Sequence, residues 1–129
     1  MGYYEKIARI NLTTGEIKVE KLDVELAKKF IGGRGLGTKI LYDEGVATVD
    51  PLSAENKLVY ITGPLTGAAA PSTGRYMVVT KSPLTGMIAC SNSGGIWGQK
   101  LKYAGWDAII VEGEASEWTY ITIEDDKIE

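Results

Sequence analysis

The chain alternates apolar and polar residues over short stretches, a pattern typical of half-buried β-strands. The first two stretches are residues 5–11 (EKIARIN) and 16–21 (EIKVEK), and the turn at residues 13–15 between them predicts a β-hairpin. Later runs rich in β-branched and aromatic residues, bounded by Gly, Pro and Ser, also predict strands. These runs lie at residues 57–62, 75–81, 87–90, 107–111 and 118–123.

Three stretches have helical spacing instead. Asp23 is a predicted N-cap, and an apolar stripe follows as far as about Ile31, where Gly32 ends the helix. A second short helix is predicted over residues 39–44, after a glycine run, and a third over residues 96–104. The whole pattern predicts an α+β fold, with an N-terminal β-hairpin, two to three short helices and a mostly antiparallel sheet.

One short motif occurs twice. The segments GPLTG (63–67) and SPLTG (82–86) each follow an apolar strand. Proline sets the first corner of a turn and glycine tolerates a positive φ, so both copies predict rigid turns. They are either two similar turns or parts of one sheet edge that together frame a cleft.

The end of the chain is abrupt. Residues 118–129 (WTYITIEDDKIE) predict a strand, a turn and the beginning of a partner strand that the sequence does not complete. No linker interrupts the chain, so we expect residues 1–129 to be a single partial domain, truncated at its C-terminus or completed by another chain.

Composition excludes several classes of protein. The net charge is −3 without a basic tail, which gives no reason to expect nucleic acid as a partner, and no apolar run is long enough for a membrane span. Cys90 is the single cysteine and histidine is absent, so we expect a cytoplasmic protein with no internal disulfide and no thiolate cluster. Apolar neighbours indicate that Cys90 is buried and unreactive.

Sixteen glycines, mostly in clusters, suggest places where main chain approaches something closely. In FIGGRGLGTKIL (30–41), glycines surround Arg34 just before a predicted helix, a combination that favours an anion or phosphate site. The spacing matches neither the dinucleotide fingerprint nor the P-loop. The other interpretation is a glycine-rich turn between two helices.

The segment PSTGRYMVVTK (71–81) places two cations on one predicted strand. Arg75 lies at its entrance, where the guanidinium suits a carboxylate, a phosphate or the edge of a heterocycle, and alternation puts Lys81 on the same face. Both side chains are otherwise exposed charges at the two strand ends.

The segment SNSGG (91–95) joins a predicted strand to a predicted helix and presents hydroxyls, an amide and bare N–H groups. Such a joint suits a flat polar ligand, although Asn92 or Ser93 is equally placed to cap the helix. Catalysis has less support, because no segment contains a convincing nucleophile–base pair.

Three segments together resemble a known family. They are KIARINLTTGEIKVEKLDVELAKKFIGGRGLGTKILYDE, DPLSAENKLVYITGPLTGAAAPSTGRYMVVTKSPLTG and SNSGGIWGQKLKYAGWDAIIVEG, and they resemble the N-terminal domain of the tungsten-pterin aldehyde:ferredoxin oxidoreductases over nearly the whole chain. In that family the domain is a base for two pterins that hold tungsten or molybdenum, with magnesium between their phosphates.

The resemblance implies a role for particular residues. Arg75 corresponds to the arginine of the family's GGRY motif, although Thr73 replaces the first glycine. The family's pterin-contacting NSGG segment corresponds to Asn92, Ser93, Gly94 and Gly95. By this analogy the main-chain carbonyl of Asn92 helps to ligate magnesium, an ion that prefers oxygen ligands. Arg75 and Gly94 then hold the pterin.

The resemblance also implies what is missing. The family's domain has two related halves, and this chain matches about the first; the four cysteines of the [4Fe–4S] cluster and the acid–base residues lie beyond it. We therefore expect this chain to be a cofactor-binding portion of an aldehyde oxidoreductase, completed by the rest of the polypeptide or by a subunit. The complete enzyme is expected to donate electrons to ferredoxin. Alone it is expected to be inactive, and the sequence leaves open whether it holds any cofactor. The alternative is a free-standing module that binds a small molecule or self-assembles through open strand edges.

Overall fold

A computed structural model describes residues 2–129 and has an α+β architecture, as the sequence predicts. The helices are α1 (Val24–Phe30), α2 (Gly33–Asp43) and α3 (Trp97–Tyr103), with a 3₁₀ turn at Val46–Thr48. The strands are β1 (Lys6–Asn11), β2 (Glu16–Lys21), β3 (Lys57–Ile61), β4 (Tyr76–Lys81), β5 (Ile88–Ser93), β6 (Ala108–Glu112), β7 (Ile123–Glu124) and β8 (Lys127–Ile128). No helix in this described part is long and apolar enough to cross a membrane.

Six strands form one sheet in the order β2-β1-β6-β3-β4-β5. The predicted hairpin is confirmed by the antiparallel pairing of β1 with β2, and β3, β4 and β5 also pair with their neighbours in antiparallel fashion. The pair β1–β6 is parallel, with Ile7 opposite Ala108. The sheet is therefore mostly antiparallel with one parallel pair, and β2 and β5 are its edges.

The two faces of the sheet bury separate apolar clusters, because alternate side chains point to opposite faces. Helices α1 and α2 cover one face, over a core that includes Leu36, Leu41, Val59 and Val79. Helix α3 and the C-terminal segment cover the other face, around Trp106. We call these the α2 face and the α3 face.

Helix α1 begins and ends as predicted. The Asp23 carboxylate accepts hydrogen bonds from the N–H groups of Glu25 (2.9 Å) and Leu26 (3.1 Å), which is an N-cap. At the other end Ile31 has φ +68° and Gly32 has φ +150°, so the chain leaves the helix at the predicted glycine.

Helix α2 corrects the predicted start of the second helix, which begins at Gly33 rather than at residue 39. Its glycines serve packing. A Cβ at Gly37 would lie 2.8 Å from Val79 Cγ2, and one at Gly35 would lie 2.6 Å from the Phe30 carbonyl oxygen. Close contact with the sheet and with α1 therefore outweighs the low helix propensity of glycine.

The C-terminal segment differs from the prediction of a long strand over residues 118–123. Only Ile123–Glu124 is strand, and it pairs with Lys127–Ile128 in a small hairpin, so the expected partner strand is present in the chain. The Trp106 indole N–H donates to the Asp125 carbonyl oxygen at 2.7 Å, which fastens this hairpin to the α3 face. The predicted strand 87–90 is also longer than expected, since β5 continues to Ser93.

A charge network on the α2 face connects strands β1, β2, β3 and β6 with the end of helix α2. The Arg9 guanidinium donates to Glu20 (2.9 Å), Glu112 (2.9 Å) and Glu44 (2.6 Å), and Lys57 also approaches Glu112 at 3.2 Å. Hydrogen bonding from Arg9 lowers the pKa of Glu20. Burial alone would raise the pKa of Glu112, but hydrogen bonds from Lys57 and Arg9 outweigh it and lower that pKa as well.

Candidate functional site

An open cleft on the α2 face lies where two of the three glycine-rich segments meet, residues 30–41 and residues 71–81. The cleft has a volume of about 470 Å³ and lies between the start of α2 and the loop that joins β3 to β4. Gly32 and Gly63 pack against each other at its base, since a Cβ at Gly32 would lie 3.0 Å from Gly63 Cα. Glycine at position 32 therefore allows the two segments to approach closely enough to form the cleft.

Both arginines predicted from the sequence line this cleft. Arg34 lies in the first turn of α2, and Arg75 immediately precedes β4; both are exposed. No aspartate or glutamate is among the described residues that line the cleft. Two guanidinium groups without a neighbouring carboxylate in the lining favour an anionic ligand.

Arg75 is connected to the SNSGG segment through the β4–β5 pairing. Its Nη1 donates a hydrogen bond to Asn92 Oδ1 at 3.1 Å. Gly94 lies beside the same guanidinium, because a Cβ there would be 3.7 Å from the Arg75 Nε and Cζ atoms. The structure therefore brings Arg75, Asn92 and Gly94 together, which the sequence-derived site required.

The main chain of Asn92 faces the free edge of the sheet. Ser82 N–H donates to the Met87 carbonyl at 2.8 Å, and the register continues with Lys81 opposite Ile88. Because hydrogen-bonded pairs alternate along an antiparallel ladder, the N–H and C=O groups of residues 88, 90 and 92 point away from β4. The Asn92 carbonyl is thus directed outward, where an external ligand can reach it.

The SNSGG segment is partly strand and partly glycine-rich main chain. Residues 91–93 belong to β5 rather than to a loop, and Ser93 pairs with Tyr76. A Cβ at Gly74 would lie 2.6 Å from the Gly95 carbonyl oxygen, so these two segments pack main chain against main chain. Gly94 has no such backbone neighbour. The close contact accounts for the glycine at position 74 and a φ of +84° accounts for Gly95, whereas Gly94 has neither requirement.

Neither Asn92 nor Ser93 caps the following helix. Helix α3 begins at Trp97 with Ile96 at the N-cap position and no side-chain cap. The capping interpretation of these two residues is therefore wrong, and the Asn92 side chain accepts from Arg75 instead.

Lys81 lies apart from the other candidate residues. It is at the opposite end of β4 from Arg75, about 20 Å away for six residues of strand. Its ammonium donates to the carbonyl oxygens of Ala47 (2.8 Å) and Val49 (2.7 Å), which fixes the 3₁₀ turn after α2. Of Arg75 and Lys81, only Arg75 lines the cleft.

The two PLTG copies are unlike in position, so they do not frame one cleft. The first follows β3 and lines the cleft, whereas the second joins β4 to β5 at the other end of the sheet.

The sequence analysis did not identify Thr66, in the first copy, as a residue of the site. Thr66 is 5% exposed, and its hydroxyl contacts the main chain of both Gly63 and Arg75. The sequence does show that both PLTG copies have a threonine at this position. It does not show which of the two threonines is buried.

A second groove lies on the α3 face, away from the arginines. It has a volume of about 510 Å³, and its aromatic wall consists of Tyr60, Tyr76 and Trp97, with Tyr76 and Trp97 centroids 4.4 Å apart. Burial raises the pKa of Tyr60. Trp97 therefore packs against tyrosines on the face opposite the cleft. Cys90 packs against the core of the α2 face but is only half-buried, not buried as expected.

Within residues 2–129, no three side chains of His, Cys, Asp or Glu converge in a way that could hold a metal ion. One oxygen atom that the site offers to a cation is the main-chain carbonyl of Asn92. The outward carbonyl of Asn92 is a ligand of the kind that magnesium accepts in company with phosphate oxygens.

The chain matches the profile described as "Aldehyde ferredoxin oxidoreductase, N-terminal domain" over residues 7–129. It is 58% identical over 128 residues to the tungsten-containing aldehyde ferredoxin oxidoreductase of Pyrococcus furiosus, and 57% identical to that of Pyrococcus abyssi. Each match covers 99% of this chain and 21% of the relative, so the chain spans about a fifth of the length of these relatives.

A solved structure has the same fold. It is described as the active site complex BamBC of benzoyl coenzyme A reductase in complex with 1,5-dienoyl-CoA. The TM-score is 0.95 at 38% identity, and the match covers all of this chain and 20% of the other.

Proposed function

The chain belongs to the aldehyde ferredoxin oxidoreductase family, and on that premise we propose that it forms part of the cofactor-binding surface of a longer oxidoreductase. The cofactor is tungsten, or molybdenum, held by pterins. The cleft is the place on this chain that suits an anionic, flat ligand. The observation that carries the proposal is the Arg75 guanidinium, hydrogen-bonded to Asn92 at a cleft without acidic lining residues.

Arg75 and Arg34 bind the anionic parts of the cofactor. A guanidinium forms two parallel hydrogen bonds with a phosphate, and such charge-assisted bonds are about twice as strong as neutral ones. The bond from Nη1 to Asn92 leaves the other N–H groups of Arg75 as donors. Arg34, in the first turn of α2, provides a second positive charge in the same cleft.

The β5 edge supplies the rest of the surface. The Asn92 carbonyl would be a ligand for magnesium, and the bare Cα of Gly94 would leave room for the pterin beside the Arg75 guanidinium. Ser93 and Gly95 complete the segment. Lys81 contributes through the fold, since its ammonium is bonded to two carbonyl groups far from Arg75.

The complete oxidoreductase converts an aldehyde and water to a carboxylate and three protons, and the two electrons pass to ferredoxin. The metal centre supplies this redox chemistry when it is bound. The residues of this chain bind and orient the cofactor, and the remaining polypeptide contributes the acid–base residues and the iron–sulfur ligands. The chain alone therefore does not turn over. A cytoplasmic location stays a prediction from the single cysteine.

Binding of inorganic phosphate tests the anion site directly. Titration of the chain, followed by ¹H–¹⁵N NMR, should show saturable shifts at Arg75 and Asn92. Arg75→Ala should weaken binding by at least about tenfold, the value of one lost charge-assisted bond. Lys29→Ala removes an equally exposed cation on α1 and is the matched control. Equal losses in the two variants would show that binding is non-specific.

Cofactor content provides the second test. The chain is purified from a host that makes the tungsten-pterin cofactor, and tungsten, sulfur and pterin fluorescence are measured. Pterin content should be lower for Arg75→Ala than for the unaltered chain. Appreciable aldehyde oxidation by the chain alone would contradict a purely binding role.

One observation favours a second function, self-assembly. The edge strand β2 is protected by charged residues, whereas β5 (IACSNS) has no charge and no proline. Two copies paired through β5 would satisfy the outward N–H and C=O groups of residues 88, 90 and 92. Sedimentation over a concentration series distinguishes the functions: a monomer at high concentration excludes pairing, and Arg75→Ala should not change association.

A further inference from the structure

A buried hydroxyl group links the loop of the cleft to Arg75. Thr66 is 5% exposed. Its Oγ1 accepts a hydrogen bond from the Gly63 N–H at 2.9 Å and donates one to the Arg75 carbonyl oxygen at 3.1 Å. One side chain thus bridges the beginning and the end of the loop between β3 and β4.

The internal repeat shows that this bridge is specific to its position. Thr85 occupies the same place in the second PLTG copy, but it is exposed, and its Oγ1 accepts only from the nearby Met87 N–H at 3.3 Å. The same four residues, PLTG, therefore form a simple turn in one copy and a long-range clamp in the other. Local turn chemistry alone does not require the bridge made by Thr66.

We infer that Thr66 is the positioning residue of the Arg75 site. This inference rests on the proposed function, because it assigns how the anion-binding guanidinium is held. The clamp acts on main-chain atoms of Arg75 and leaves the guanidinium free for Asn92 and for a ligand. Thr66 itself does not contact the ligand.

The clamp reaches both arginines of the cleft. Gly63, held by Thr66, packs against Gly32 at the base of the cleft, one residue before α2 begins. The opposite side of the turn is fixed by Tyr103, whose hydroxyl donates to the Gly67 carbonyl at 2.9 Å. Removing the Thr66 hydroxyl leaves the Gly63 N–H and the Arg75 carbonyl without this partner, so the main chain at Arg75 is no longer tied to the main chain at Gly63.

Four variants test the role of the hydroxyl group. Thr66→Val keeps the side-chain volume and removes the hydroxyl, Thr66→Ser keeps the hydroxyl, Thr85→Ala is the matched control in the second repeat, and Arg75→Ala is the reference for loss of the site. Folding of each variant at the assay temperature is verified by circular dichroism. The probe is inorganic phosphate, and its Kd is measured by NMR titration.

Thr66→Val should raise the phosphate Kd by about five- to tenfold, because it removes both hydrogen bonds that position the main chain of Arg75. Thr66→Ser should stay within about twofold of the unaltered chain, and so should Thr85→Ala. The Gly63 amide should exchange faster with solvent in Thr66→Val and retain its protection in Thr66→Ser. Rescue by serine separates positioning by the hydroxyl from simple packing.

Two results would overturn the inference in distinguishable ways. If phosphate binds the unaltered chain, and Arg75→Ala abolishes binding while Thr66→Val does not weaken it, Thr66 has no positioning role and the proposed function stands. If the unaltered chain shows no Arg75-dependent binding of phosphate, the anion site and the inference built on it both fail.

Discussion

Replacing Gly74 by alanine tests whether this glycine serves packing between chain segments. A Cβ at this position would lie 2.6 Å from the Gly95 carbonyl oxygen, with a second contact at 3.5 Å to Gln99 Nε2. Carbon–oxygen contacts in proteins are normally about 3.3 Å or longer, so one segment must move. Gly74 does not have a positive φ. The expected cost is therefore steric, without a contribution from backbone strain.

The magnitude follows from two opposing effects. Overpacking a close contact costs about 1–3 kcal/mol, and alanine returns about 0.4–1 kcal/mol by restricting the unfolded chain. The net loss in the free energy of unfolding is then up to about 2.6 kcal/mol, and the very short contact of 2.6 Å favours about 1–2 kcal/mol. For a chain of 129 residues this corresponds to a fall in Tm of about 4–10 °C.

Gly63→Ala is the matched control, in the same loop. Gly63 also lacks a positive φ, and the nearest atom to an added Cβ is Thr66 Oγ1 at 3.8 Å, an ordinary contact. Its Tm should stay unchanged or rise slightly. Thermal and urea unfolding followed by circular dichroism, without phosphate, measure both variants. A Tm for Gly74→Ala equal to or above that of Gly63→Ala would refute the packing role of Gly74.

Two further predictions concern charges. Asp107→Ala should lower the free energy of unfolding, measured by urea denaturation, by about 3–5 kcal/mol, because the buried ammonium of Lys102 (1% exposed) loses its charge partner. A loss below about 1 kcal/mol, the size expected for a surface ion pair, would contradict this. The folded-state pKa values of Glu20 and Glu112 lie below the ordinary 4.5, so their stabilisation is complete above that pH and is lost as the pH falls through the lowered values. Urea titrations from pH 7 to 3 should show this fall, and Arg9→Met should reduce it; an unchanged slope would contradict the assignment.

The parts of the fold that could be predicted depend on local chemistry. The alternation in β1 and β2 and the cap at Asp23 are properties of adjacent residues, and the structure confirms them. The start of α2 could not be predicted, because its glycines argue against a helix when they are considered locally. They are needed for close contacts, of Gly37 with Val79 in β4 and of Gly35 with Phe30 at the end of α1. Helix propensity was outweighed by tertiary packing.

The candidate site shows the same division. Arg75 and the SNSGG segment were recognisable as unusual chemistry in the sequence, but their juxtaposition depends on the β4–β5 register, which places Met77 opposite Asn92. Thr66 and Thr85 occur in the same local pattern, so no local rule distinguishes the buried one. A glycine needed for packing, such as Gly74, and one available to a ligand, such as Gly94, are likewise identical in sequence.

The cleft is held by main-chain contacts rather than by long side chains, which bears on how it binds. Gly33 N–H donates to the Thr62 carbonyl at 2.9 Å, and Thr62 in turn donates to the Asp107 carbonyl through both its N–H (3.0 Å) and its hydroxyl (2.9 Å). The Asp107 side chain is paired with buried Lys102. The start of α2 is therefore continuous with a buried ion pair. Because hydrogen bonds within the chain hold these segments, a ligand at the cleft would have to order little more than the exposed guanidinium groups, and the entropy lost on binding would be small.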